Sequence, residues 1–464
     1  MRNSHVRKSI SSVAAGFAGA AVLAFQLTLA SGAAAQGVGS SLIRDAEIEN
    51  TIRAYAAPLL TAAGFEPRDV AIHLLNASEL NAFVARGQQI FVSTGLLMRS
   101  ERPNQVMGVL AHEIGHISGG HLARLEGAIS DAQDQAMIGS IVGIALGVLS
   151  GQGGAGAAAS AKAQEIAVKN LLSFTRTQER SADQVAVDLL DKTRNSSSGL
   201  LQFFEILQDQ ELLVRSRQDP YVVTHPLTQD RISFVREHVE RSKVETETDA
   251  PEFIDAHRRM VAKLKGFIDP PSRTLADFKA SDTSIPARYA RAIAYYRDTR
   301  LEEALPLMDG LIAAEPKNPY FQEMRGQMLF ENGRLKEALP AYQTAVNLLP
   351  AEPQLRVGLA HVQIESGDPA LDKAALTNIE EALRYDRKLP LAWRLAAVAY
   401  GRNNELGLSA LALAEYNLMT GNALDAAGQA KKAMRLLKNG SPSWLRAQDL
   451  AETAERQYRK SKGE

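Results

Sequence analysis

The chain repeats itself over its second half, and the period restricts the fold more than any other feature. Ala304 to Ala338 is 34 residues, and so is Pro316 to Pro350. In the unit that opens at Pro319, Gly326, Ala338 and Ala345 occupy positions 8, 20 and 27, and Pro350 occupies position 32. Small residues at these places let paired helices cross closely, and the proline stops the second helix. Looser helix pairs are predicted around Pro353–Asp386 and Pro390–Leu437. About four such hairpins can bury their apolar sides only by stacking, which gives an all-α solenoid with a concave face for peptides or proteins.

The first half reads as α+β. Leu42, Ile43, Ile48, Ile52, Tyr55, Leu59 and Leu60 recur at helical spacing, so an amphipathic helix is expected from Leu42 to about Gly64. Val70–Leu75 reads as a strand. Asn81–Ala85 and Gln88–Ser93, separated by Arg86-Gly87, read as a hairpin or sheet edge. Further helices are expected from Arg231 to about Glu240 and over His257–Phe267, with a polar stretch between them at Ser242–Pro251.

An apolar run, Met107-Gly108-Val109-Leu110-Ala111, leads into His112-Glu113-Ile114-Gly115-His116. On a helix, His112 and His116 lie one turn apart on one face and can grip one zinc ion. Glu113 beside them is placed to take a proton from a water on that ion. Hydrolytic zinc sites commonly use three protein ligands. One pattern would place a third histidine ten residues after the first, but that position is Leu122. His121 is one residue early, so it is read as a surface or supporting histidine. The alternative is distant. In Ser173-Phe174-Thr175-Arg176-Thr177-Gln178-Glu179-Arg180-Ser181-Ala182-Asp183, Glu179 and Asp183 are i and i+4 and face the same way. Glu179 is expected as the third ligand, and Asp183 as acceptor for the far nitrogen of a ligand histidine. The competing reading is a solvated acidic stripe paired with Arg176 and Arg180.

The set His112-Glu113-Ile114-Gly115-His116, then Thr175 to Asp183, then Thr224-His225-Pro226, resembles the gluzincin family that includes HtpX and the CAAX prenyl protease. The 34-residue unit matches the tetratricopeptide pattern, so the likeness is to the soluble branch of that family carrying tetratricopeptide repeats. It covers nearly the whole mature chain. The resemblance implies a zincin domain of gluzincin type followed by a tetratricopeptide (TPR) solenoid. It implies one zinc per chain on His112, His116 and Glu179, with Glu113 as general base and Asp183 behind the ligands. It also implies that His225 can take the fourth zinc position at rest. Chemically, His225 could block the catalytic position, stabilise an oxyanion, or merely cap a loop before Pro226. Arg231 is a weaker candidate for transition-state stabilisation, with a surface salt bridge as the alternative. Asn81, Ala82 and Phe83 are candidates for an edge strand that pairs with extended substrate, against plain sheet packing.

Residues 1–35 read as an export signal. Arg2, Arg7 and Lys8 precede an apolar stretch from about Val13 to Ala30, and Ala33-Ala34-Ala35 supplies a cleavage site. There is no cysteine, so neither disulfides nor a lipid-modified cysteine are expected. Removing the signal takes the basic count from 52 to 49 against 53 acidic residues, a net −4 that argues against nucleic acid as partner. With the resemblance, this points to a periplasmic location. The expected layout is 36–270 peptidase, 271–285 linker and 286–460 repeats. Met137–Leu149, too short to span a bilayer comfortably, is read as a lid, a membrane-touching loop or a buried helix.

The resemblance thus implies an exported zinc endopeptidase acting on misfolded or stalled outer-membrane proteins. Its TPR domain would dock clients or the outer-membrane assembly machinery, and peripheral membrane contact is part of the expectation. The rival is a periplasmic TPR chaperone or scaffold whose zinc is mainly structural. Retention of Glu113 weighs against it, because a structural site needs no base.

Overall fold

The computed structural model describes residues 41–85, 88–121, 160–211, 225–242, 244 and 249–462. The export signal and the Met137–Leu149 stretch lie outside the described residues. Among the described residues no helix is long and apolar enough to cross a membrane.

Four strands make one sheet in the order β1-β2-β4-β3. They are β1 (Ser41–Ile43), β2 (Ala71–Asn76), β3 (Ala82–Ala85) and β4 (Gln89–Ser93). β3 and β4 form the expected antiparallel pair, β4 runs parallel to β2, and β1 is antiparallel to β2. The alternation of the sequence sends Ile72, Leu74, Ala82, Ile90 and Val92 into one core. The predicted first helix is shorter than expected. Leu42 and Ile43 belong to β1, and α1 (Ala46–Ala62) begins after Asp45, whose side chain accepts from the Ile48 amide at 2.9 Å. An aspartate N-cap thus overrides the apolar periodicity.

Against this core lie α2 (Thr94–Arg99), α3 (Pro103–Ser118), α4 (Ser160–Lys192), α5 (Ser198–Glu211), α6 (Gln229–Arg241) and α7 (Pro251–Ile268). Pro103 opens α3 at a position where no amide donor is needed, and the Gln105 side chain accepts from the Glu101 amide at 2.7 Å. Val106, Met107, Val109, Leu110, Ala111 and Ile114 anchor α3 in the core. α4 crosses α3 at Gly115, where an added Cβ would stand 2.7 Å from the Ala182 carbonyl oxygen. Glycine inside the motif therefore lets the two helices carrying the predicted ligands approach closely.

The helical half contains α8 (Pro271–Asp277), α9 (Ile285–Arg297), α10 (Leu301–Ala314), α11 (Pro319–Glu331), α12 (Leu335–Leu348), α13 (Pro353–Glu365), α14 (Pro369–Tyr385), α15 (Pro390–Arg402), α16 (Leu406–Met419), α17 (Ala423–Leu436) and α18 (Pro442–Lys462). The 34-residue unit is realised as α11 and α12. Gly326 sits where a Cβ would meet the Tyr342 ring at 2.7 Å. Two readings need correction. The stretch 271–285 is not wholly a linker, since α8 occupies its first half. The stretch Pro390–Leu437 is not one loose pair but three helices, the third of which pairs with α18. Alanines at the crossings, including Ala410, Ala414, Ala430 and Ala433, permit this tighter packing.

The two halves are joined by buried charge. Lys263 on α7 is 1% exposed, with Nζ 2.8 Å from Asp45, 3.4 Å from Glu47 and 3.8 Å from Glu323. The Tyr289 hydroxyl donates to Glu47 at 3.0 Å, and Arg259 reaches Glu47 at 3.3 Å. Asn50 donates to Glu352 at 2.7 Å and to the Tyr320 hydroxyl at 3.1 Å. Ala46, at the start of α1, lies in the apolar core of the first repeats. The start of α1 is thus a shared element of both halves.

Candidate metal centre

α3 presents His112 and His116 one turn apart, and α4 brings Glu179 to them. The loop before α6 brings His225. All four are buried, and their donor atoms lie within 4.8 Å of one another. His112 Nε2 is 3.1 Å from His116 Nε2 and 3.2 Å from Glu179 Oε2, and His116 Nε2 is 3.3 Å from Glu179 Oε1. His225 Nδ1 is 3.1 Å from Glu179 Oε1 and 3.4 Å from His112 Nε2. Donors about 2.0–2.1 Å from a tetrahedral ion stand about 3.3–3.4 Å apart. The observed separations therefore fit a metal of zinc's size and its preference for nitrogen and oxygen donors.

Glu113 completes the fit. It is fully buried, and among the described residues neither carboxylate oxygen has a hydrogen-bond partner. Its nearest cation-forming neighbour is His225 Nε2, 3.6 Å from Oε1. A buried carboxylate left without donors costs stability, so its retention suits a group kept for a reactant. Burial raises its pKa, partly countered by His225 and His112, toward the range a general base requires.

The donors are oriented from behind. His112 Nδ1 lies 2.9 Å from Asp183 Oδ1, which directs Nε2 into the cluster. Arg231 is only 2% exposed, which overturns the surface salt bridge. Its Nε and Nη2 donate to Asp183 at 2.6 and 2.8 Å, and its Nη1 stands 2.9 Å from Glu179. Nη1 also donates to the Pro226 carbonyl at 3.0 Å, tying down the His225 loop. His121 is also buried rather than on the surface. Its Nδ1 lies 3.0 Å from His116 Nδ1, a supporting position outside the donor cluster. The turn at Gly120, with φ +61°, folds it back. The sequence offered one signal for this, a histidine five residues after His116 behind two glycines. The solvated acidic stripe is likewise excluded: Glu179 is 1% and Asp183 0% exposed, while Arg180 pairs with Asp230 at the surface. Asn81 and Ala82 are buried and Phe83 is half-buried, at the start of edge strand β3, against which α3 packs.

The electrostatics couple metal to protons. Burial lowers the His112 pKa, but hydrogen bonds with Asp183 and Glu179 outweigh it and lift the pKa to about 9. Burial drives His116 down to about 3 despite Glu179. Burial would raise Glu179, but His225 and Arg231 hold it well below the usual carboxylate range. The metal-free site therefore holds a proton on His112 at neutral pH, which a metal must displace. Calorimetric titration in buffers of different ionisation enthalpy is expected to show about one proton released per zinc from His112. Zinc affinity should rise with pH up to about 9 and then level off. Affinity independent of pH between 7 and 9 would refute the assignment. Asp183→Asn should weaken zinc binding about 10- to 100-fold.

Comparison with known proteins agrees with this geometry. Residues 43–239 match the model of peptidase family M48, and residues 289–353 match a tetratricopeptide repeat model. The chain is 25% identical over 375 residues to the beta-barrel assembly-enhancing protease of Yersinia pestis, covering 80% of this chain and 75% of that one. It is 26% identical over 407 residues to the protein of the same name in Escherichia coli (strain K12), covering 86% and 80%. The metalloprotease YcaL of the same organism is 28% identical over 167 residues, 36% of this chain and 61% of that one. The chain thus carries a peptidase family M48 domain followed by tetratricopeptide repeats, the organisation of a metalloprotease.

Proposed function

We propose that this protein is an exported zinc endopeptidase held at rest by its own His225. The reading is carried by one observation: four donor residues with donor atoms within 4.8 Å of one another, beside a buried carboxylate that has no hydrogen-bond partner among the described residues. His112, His116 and Glu179 are the zinc ligands, and His225 Nδ1 takes the fourth place at rest. Bound zinc supplies a Lewis acid that polarises the scissile carbonyl and acidifies the attacking water. Glu113 takes the proton from that water and returns it to the leaving amine. Asp183 keeps the His112 tautomer that turns Nε2 inward. Arg231 neutralises Asp183 and Glu179 and positions the His225 loop, a supporting role that uses the donors a transition-state stabiliser would need.

The edge strand β3, through Asn81, Ala82 and Phe83, aligns an extended substrate by main-chain hydrogen bonds. The TPR solenoid docks clients or an assembly partner. The names of the two long relatives support a role in β-barrel assembly, and on this reading outer-membrane proteins are the clients, their assembly machinery the partner and the periplasm the location. A second reading is favoured by one feature. With His225 in place the donor set is closed, as in structural zinc sites, so the chain would serve as a TPR chaperone or scaffold.

Zinc content and casein hydrolysis of wild type beside His225→Ala decide between them. A resting fraction near nine tenths predicts about a tenfold faster His225→Ala enzyme with zinc retained. Zinc binding without cleavage in either protein would move the scaffold reading ahead.

A further inference from the structure

The sheet carries an aromatic row on the face opposite its core. Phe83 of β3 is paired in register with Phe91 of β4, and Phe91 with His73 of β2. The Phe83 and Phe91 rings stack with centroids 4.9 Å apart and planes 9° apart, and Phe91 and His73 follow at 4.7 Å and 24°. His73 is fixed by Gln89, 3.0 Å from its Nε2. All three rings are half-buried. The row ends on β3, whose outer edge pairs with no strand among the described residues.

The pairing pattern shows which main-chain groups face that edge. The Ser93 amide donates to the Asn81 carbonyl at 2.9 Å. In an antiparallel ladder the bonded residues alternate, so Asn81, Phe83 and Ala85 turn their amides and carbonyls toward β4. Ala82 and Val84 turn theirs to the outer edge, where Ala82 is fully buried and Val84 is half-buried. An antiparallel segment added there would bond the half-buried Val84 and place one residue directly across from Phe83. That position is the non-hydrogen-bonded kind, where Cα atoms stand only about 4.5 Å apart and side chains meet closely. Because Phe91 and His73 support the Phe83 ring from behind, its presented surface is rigid and suited to another flat or β-branched side chain.

We infer that the Phe83–Phe91–His73 row forms a side-chain subsite that selects extended polypeptide segments bearing an aromatic or β-branched residue across from Phe83. This rests on the proposed use of β3 as the substrate edge and adds the chemical class of the segment. Strands with alternating apolar residues supply such a side chain on one face while their main chain remains free to pair.

The test measures binding rather than cleavage, so its result stands apart from the peptidase reading. Zinc-loaded Glu113→Gln protein is titrated by fluorescence anisotropy with a labelled Ser/Gln peptide carrying one central Phe, and with the same peptide carrying Ala there. The Phe peptide is expected to bind about two- to fivefold more tightly. Adding Phe83→Ala should abolish that difference, and Phe83→Tyr should keep it. Phe83→Leu preserves apolar volume without the ring and should reduce it, which covers the case in which the alanine variant fails to fold. Equal affinities for the two peptides, absence of binding, or a Phe preference left undiminished without the ring at 83 would each overturn the inference.

Discussion

Glu113→Gln is expected to lower kcat for peptide hydrolysis by about 10²- to 10⁴-fold while leaving zinc content and KM close to wild type. Glu113 contributes no donor to the four-residue cluster, so the metal does not depend on it. Glutamine matches its shape in a fully buried position but cannot accept the proton of the attacking water. The loss should therefore fall on the chemical step. The same change should leave the melting temperature unchanged or raise it, because both carboxylate oxygens are buried without a hydrogen-bond partner among the described residues. A variant that cleaves within a few-fold of wild type would remove Glu113 from the mechanism. Loss of zinc would instead mean that the carboxylate holds the site together.

Lys263→Met should cost about 3–5 kcal/mol of stability, the usual consequence of removing one member of a buried ionic group. The ammonium stands against Asp45, Glu47 and Glu323, and no solvent can replace it at 1% exposure. Burial already pushes the Glu323 carboxyl up to about 7, with Lys263 opposing the rise. Without the lysine, Glu47 keeps Arg259 and Tyr289, but Glu323 loses its nearest cation. The members come from α1, α7, α9 and α11, so the damage should concentrate where the peptidase half meets the first repeats. Calorimetry should show a lowered and divided transition, and Glu323→Gln in the same chain should recover part of the loss. A fall below about 1 kcal/mol would mean that the junction is held by its apolar contacts around Ala46 instead.

Much of the architecture was legible because it is written locally. The apolar run before His112 obeys helical spacing, and the 34-residue period exposes the crossing at Gly326 and Tyr342. The strands on either side of Arg86-Gly87 obey a period of two, and their antiparallel pairing follows from how few residues separate them. Boundaries failed where a single polar side chain outweighed the pattern, as at Asp45, or where an alanine- and leucine-rich helix lacked a clear period, as at Leu406–Met419.

By itself the sequence determined the donor types, the spacing of His112 and His116, the shared face of Glu179 and Asp183, and the repeat. These depend on helix geometry within a few turns of chain. Only the tertiary structure decided that Glu179 reaches the histidines, that His225 stands 3.4 Å from His112, and that Arg231 and His121 are buried behind the donors. It also decided that α1 meets the repeats through Lys263. Apart from His121 against His116, those contacts join residues tens to hundreds of positions apart. They arise from close packing, which lets α4 cross α3 at Gly115 and buries charges only where opposite charges arrive with them.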